Sequence, residues 1–199
     1  MSGTLAKVAV VAAMLLLFVI GSSSCKTRPH LMIHQSDTLS IMLHELPAGY
    51  PSLAPFSYTH VIEPNDTFTI LESLYYEVGA RLPFSRGERH RVFTRHQAEL
   101  LAPDLAKALN LALPHEVAAF IVADTETATR HTKGLVFVLG DELHLIIEEL
   151  QKPRYEGEQK TYQPPLSRWS LLPGDGQRLY TSRPGGKGAI TNWVIAPLR

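Results

Sequence analysis

The sequence predicts an α+β fold, a small antiparallel sheet centred on a 135–147 hairpin and packed against two or three short helices. Three observations predict it. Residues 135–139 (Leu-Val-Phe-Val-Leu) and 143–147 (Leu-His-Leu-Ile-Ile) are β-rich runs that bracket Gly140-Asp141-Glu142, and Gly-Asp between two such runs is a hairpin signal. Thr94-Arg-His-Gln97 is a capping box, in which the Thr hydroxyl accepts from the backbone N–H three residues on and Gln97 reaches back. Phe68, Leu71, Leu74 and Tyr75 recur at helical spacing behind Asn65 and Asp66, two N-cap residue types.

The remaining elements follow in chain order. Tyr58 to Glu63 alternates loosely and ends at Pro64, which reads as a strand. Residues 79–93 hold Gly79, Pro83 and Gly87 among arginines and read as a basic loop or irregular hairpin. From the capping box, Ala98, Leu101, Leu105, Ala108, Leu109 and Ala112 form one apolar stripe. Pro103 interrupts it. Proline is tolerated in the first turn only, so the spacing predicts one helix ending by Leu101 and a second starting at Pro103. Glu116 to Val122 is a continuous apolar run with β-branched residues and reads as a buried strand. Residues 151–168 carry Pro153, Gly157, Pro164 and Pro165 and read as surface loop; short strands are expected at 169–172, 178–181 and 193–195.

Composition bounds the function. The chain has 199 residues, enough for one domain, and 45% apolar residues exclude wholesale disorder. Lys+Arg and Asp+Glu are both 19, so no basic excess marks a nucleic-acid partner. One Cys excludes an intramolecular disulfide framework and any Cys-cluster metal site. The averages conceal an unusual N-terminus. Lys7 is the one charge in residues 1–25, and Val8 to Ile20 is an unbroken run of thirteen apolar residues. As a helix it spans roughly 20 Å, short of the ~30 Å hydrocarbon core of a bilayer. Gly21-Ser-Ser-Ser24 follows, and then Cys25. A basic start, a short apolar stretch and small residues before a cut describe a secretory signal.

The only cysteine stands directly after those small residues, and in this the chain resembles a bacterial lipoprotein. The resemblance covers residues 1–25. Ser23 and Ser24 match the small positions before the modified cysteine, and Ser22 departs from the aliphatic residue expected there. The resemblance implies that Cys25 becomes the first mature residue, carrying a diacylglyceryl thioether and an N-acyl chain such as palmitate. It implies a lipid-anchored location at the cell membrane. Lys26, which stands where an Asp tends to retain lipoproteins at the inner membrane, implies the periplasmic face of the outer membrane in a Gram-negative cell. The alternatives are a secreted protein cut after Ser24 and an uncleaved membrane anchor. The expected organisation is therefore a signal peptide over 1–24, a lipidated N-terminus and proline-containing tether over 25–56, and one globular domain over 57–199. A 30-residue tether extends to roughly 100 Å. The alternative for its one apolar patch is that residues 41–46 dock on the domain as an edge strand.

Complete catalytic patterns are missing. His44-Glu45 and His115-Glu116 begin the metalloprotease helix motif, but Ala48 and Ala119 stand where the second His belongs. No Gly-x-Ser-x-Gly elbow occurs, and the one Ser-x-x-Lys match, Ser23 to Lys26, overlaps the processing site. Gly185-Gly-Lys-Gly188 lacks phosphate-loop spacing. Glu148 and Glu149, adjacent on a strand, face opposite ways. His144, between Leu143 and Leu145, is expected on the open face of the sheet. The most suggestive local feature is Arg81, Arg86, Arg89, Arg91 and Arg95, five guanidinium groups in fifteen residues, a candidate contact for an anionic lipid or an acidic protein surface.

These readings converge on a membrane-anchored envelope protein with a non-enzymatic structural, assembly or accessory role, partnered by the membrane through acylated Cys25 and by another envelope component. No cofactor, metal or nucleic acid is expected. The alternative is an envelope hydrolase with an unrecognised His/Glu site, favoured if histidines and carboxylates converge beside a pocket. A metal carrier would need His30, His34 and His44 to meet in space.

Overall fold

The computed structural model describes residues 30–51, 53, 55–56, 61–78, 88–124, 129–153, 169–183 and 188–198. Among them are ten strands and two helices: β1 (Leu31–Gln35), β2 (Leu39–Glu45), α1 (Pro64–Glu72), β3 (Tyr75–Val78), β4 (Arg89–Arg91), α2 (Arg95–Leu111), β5 (Glu116–Ala123), β6 (Arg130–Leu139), β7 (Glu142–Pro153), β8 (Trp169–Leu172), β9 (Arg178–Thr181) and β10 (Ala189–Pro197). One sheet has seven strands in the order β1-β2-β5-β6-β7-β10-β9; the other has three, β4-β3-β8. Every pairing is antiparallel. The expected small sheet against two or three helices is thus corrected. The protein is mostly β, and the 135–147 hairpin is the middle of a much wider sheet.

Both faces of that sheet are covered. On one, Ile41, Leu43, Ala118, Phe120, Val136 and Leu145 pack against Leu101, Leu105 and Leu109 of α2. On the other, Val117, Leu135, Phe137, Ile146 and Trp193 form a second cluster closed by Phe56, with Leu46, Tyr50 and Leu53 at its edge. Two-sided burial is why residues 135–139 are apolar without alternation. The hairpin turn is two residues, Gly140-Asp141, with Gly140 at φ 62°, the positive first position that a II′-like turn requires.

Part of the expected tether is also corrected. Leu39, Ile41 and Leu43 are 4%, 0% and 0% exposed and alternate with Ser40, Met42 and His44. This is a one-face-buried strand. β2 lies between β1 and β5, pairing from Leu39↔Val122 to Glu45↔Glu116, so it is an interior strand and not an edge strand. Residues 61–63, expected at the end of a strand, have no regular structure, and residues 57–60 lie outside the described residues.

α2 begins as its capping box dictates. Gln97 N–H donates to Thr94 Oγ1 at 3.2 Å, and Thr94 N–H donates to Gln97 Oε1 at 2.8 Å. The Gln97 amide then donates to the Ala123 carbonyl at 2.8 Å, so the residue that closes the cap also pins the helix to β5. The helix does not split at Pro103. Pro103 removes the N–H that the Glu99 carbonyl would accept, but both residues lie on the exposed face, where an unpaired carbonyl costs little because it is open to solvent. The buried stripe on the opposite face carries the helix through.

Candidate functional site

The described arginines of the cluster, Arg89, Arg91 and Arg95, stand where the three-stranded sheet meets both helices. Tyr75 of β3 pairs with Arg91 of β4. The Arg89 guanidinium lies 3.8 Å above the Tyr75 ring centroid, and that of Arg91 lies 5.6 Å from it. Arg91 and Arg95 both approach Glu72 Oε1 at 3.6 Å, and Arg95 Nε donates to Glu99 at 3.0 Å. Stacking and ion pairing therefore already engage these three cations, and an anionic partner would compete with Glu72 and Glu99. Arg81 and Arg86 lie outside the described residues.

The histidines are more informative. His144 does point away from Leu143 and Leu145, as strand alternation requires. The face it points to is not open, so the expectation of an open sheet face is corrected, and His144 is a structural group. The residue is 3% exposed, stacked on Phe137 at 4.9 Å between centroids. Trp193 Nε1–H donates to His144 Nδ1 at 3.2 Å. That bond places the imidazole proton on Nε2, which is buried and has no partner among the described residues. Burial pushes the His144 pKa down to about 4; the Glu142 charge opposes this and Arg178 adds to it. Beside the ring is a cavity of about 220 Å³ lined by Leu53, Glu142, Arg178, Tyr180 and Thr181, among others. At neutral pH the site offers an uncharged imidazole, an aromatic wall and the 2.9 Å Arg178–Glu142 ion pair at its rim.

His131 and Glu149 do converge. His131 Nε2 lies 2.8 Å from Glu149 Oε2. Burial alone would raise the Glu149 pKa, but the hydrogen bond from His131 and the charges of Lys152 and Lys133 hold it low. His131 also borders a cleft of about 330 Å³ with Ser36, Asp37, Ser40 and Arg130. Its Nδ1 is shielded from solvent and has no partner among the described residues, so the carboxylate orients an imidazole whose second nitrogen is enclosed in this conformation. Glu148 and Glu149 separate as expected, with Glu148 bound to Lys133 Nζ at 2.9 Å and to the Tyr50 hydroxyl at 3.1 Å. Glu148 is nonetheless largely buried.

The three histidines of the metal-carrier reading do not gather. His30 and His44 stand across β1 and β2, with ring centroids 5.7 Å apart. His34 turns to the helical side and pairs with Asp104 of α2 at 2.8 Å. Among the described residues, no three His, Cys, Asp or Glu side chains are placed to hold a metal ion. Cys25 lies outside the described residues. Comparison with known proteins finds no matching family model, no similar curated protein and no similar solved structure.

Proposed function

We propose that this protein is a lipid-anchored component of a bacterial cell envelope with a non-enzymatic binding or assembly role, held at the membrane through acylated Cys25. The observation that carries the reading is positional. The single cysteine follows thirteen apolar and four small residues, and β1 starts at Leu31, only six positions later. No helix among the described residues is long and apolar enough to cross a membrane. The β domain, filled on both sheet faces, then acts as a surface presented close to the lipid. Changing Cys25→Ser is expected to abolish labelling by a radioactive or alkyne-tagged fatty acid and to move the protein from the membrane to the soluble fraction. Continued membrane recovery of the unlabelled variant would overturn the anchor.

One observation favours an envelope hydrolase instead. The His131–Glu149 pair borders the 330 Å³ cleft and is a carboxylate-oriented imidazole; it becomes a water-activating dyad once Nδ1, shielded in this conformation, opens to the cleft. If that reading holds, an ester or phosphoester hydrolysed by the wild-type chain is expected to lose at least about 100-fold in rate on His131→Asn. Turnover that is unchanged in the variant removes the dyad.

A further inference from the structure

We infer that the domain rests on the lipid surface with one defined end down, the end carrying Val61, Leu111 and Leu113. The inference rests on the lipid anchor proposed above and extends it to an orientation. Five residues, 26–30, separate Cys25 from β1. Fully extended, the six steps from Cys25 to Leu31 reach at most about 22 Å, so the part of the domain near Leu31 cannot leave the bilayer by more than that.

Strand register shows what lies there. Leu31 pairs with Leu43, and Leu43 pairs with Ala118. At about 4.8 Å per strand, the start of β1 is some 10 Å from the start of β5. α2 ends at the same place, because residues 112–115 connect it directly to Glu116. That connection is tied down, with Glu116 N–H donating to the Leu113 carbonyl at 2.8 Å and Leu113 N–H donating to Glu116 Oε2 at 2.9 Å. The Asn110 side chain brings in a third segment, accepting from Ile62 N–H and donating to Ile62 O, both at 2.9 Å.

These contacts place three exposed apolar side chains around one helix terminus. Val61 is 73% exposed, Leu111 48% and Leu113 37%. Aliphatic side chains spaced around a helix end suit the boundary between headgroups and acyl chains, where apolar groups sit roughly 5–10 Å deep. Charge gives no net pull: Glu45, Glu63 and Glu116 at this end are matched by Lys107 and by Lys26 and Arg28 of the tether, and the histidines here are His30, His44 and His115. The attraction is therefore apolar and should not require anionic lipid. Three side chains are too few to recruit a soluble domain, but a short lipid tether raises their effective concentration to about the millimolar range.

The test uses the acylated full chain in phosphatidylcholine vesicles whose acyl chains carry bromine, a contact quencher of Trp. Leu111→Trp and Leu100→Trp place probes on one helix, both at exposed positions, 11 residues and so about 16 Å apart. With the Trp169 and Trp193 background subtracted, the Leu111→Trp emission is expected to fall by about half, and that of Leu100→Trp to be unchanged, given an interfacial depth of roughly 5–10 Å. Equal quenching at both positions, or none at position 111 in protein that carries label on Cys25, overturns the orientation and leaves the anchor standing. Absence of acyl label on the same sample overturns the anchor and the orientation with it.

Discussion

Acidification from pH 7 to pH 4 is expected to remove up to about 3 kcal/mol of stability through one side chain, His144. Its pKa is near 4 in the fold against an ordinary value of 6.5, and each unit is worth about 1.4 kcal/mol. Between these two values the unfolded chain binds the proton and the folded chain does not, so stability rises with pH across that window. The contribution is fully present above about pH 6.5 and is lost as the pH falls toward 4. The cause is geometric. A charged imidazolium at this position would be enclosed by Phe137, Trp193 and Ile195, with Nε2 shielded from solvent. Protonation at Nδ1 would also break the bond that Trp193 donates.

Glu149 acts in the same direction. Its depressed pKa gives stability that is present above the ordinary carboxylate value and lost below it. His144→Phe separates the two contributions. The variant removes the titrating ring but leaves the Trp193 N–H buried without its acceptor, which costs roughly 1–3 kcal/mol at pH 7. At pH 4 the wild type carries its own penalty, so the difference between the proteins should shrink or reverse. Urea unfolding of both in detergent, at pH 7, 5.5 and 4, reads it directly. Parallel pH profiles would show that His144 is not the source.

The parts of this fold legible from sequence are those encoded by neighbouring residues. The Thr94/Gln97 capping box starts a helix wherever the chain places it, and Gly140-Asp141 joins two strands without reference to the rest. What could not be read depended on partners distant in sequence. Leu39, Ile41 and Leu43 alternate correctly, yet flanking prolines and histidines resemble a spacer until β5 is seen beside them. α2 survives Pro103 because Glu99 happens to face water, which follows from the helix's orientation and not from its sequence alone. His144 is enclosed because Phe56, far upstream, folds over the second face of the sheet. The uninterrupted apolar character of residues 135–139 was the available signal for that second layer, since a strand with one wet face alternates. The candidate site was less legible still. His131 and Glu149 meet across β6 and β7 only because the register shifts on either side of Lys133, and nothing local announces a bulge there. The proposed anchor is a different case, because a signal of that type would be read along the chain and needs no fold.

That same irregularity supplies the second large effect. Gly134→Ala is expected to destabilise the protein by about 3 kcal/mol, at the upper end of overpacking costs. Gly134 lies in β6 beside the register shift, paired with Ile147 and opposite Phe120. A Cβ there would overlap the Ile146 carbonyl oxygen and stand 2.8 Å from both Cε1 and Cζ of the Phe120 ring. The ring could rotate or shift, but the carbonyl belongs to the adjacent strand and can yield only by parting β6 from β7 at the centre of the sheet. Phe120 is itself fully buried beneath α2 and in contact with Phe93 at 5.8 Å, so its movement would disturb the helix as well. Gly174→Ala is the control, since the nearest neighbours of a methyl group added there, Gln177 Oε1 and Ser73 O, would be 3.4 Å away and one of them is a side-chain end. That variant should remain within about 1 kcal/mol of wild type. In urea titrations the Gly134→Ala midpoint should fall with an unchanged m-value. A loss of less than about 1 kcal/mol would mean that β6 and β7 separate cheaply at this point. The bulge that brings His131 to Glu149 would then be a loose joint and not a fixed one.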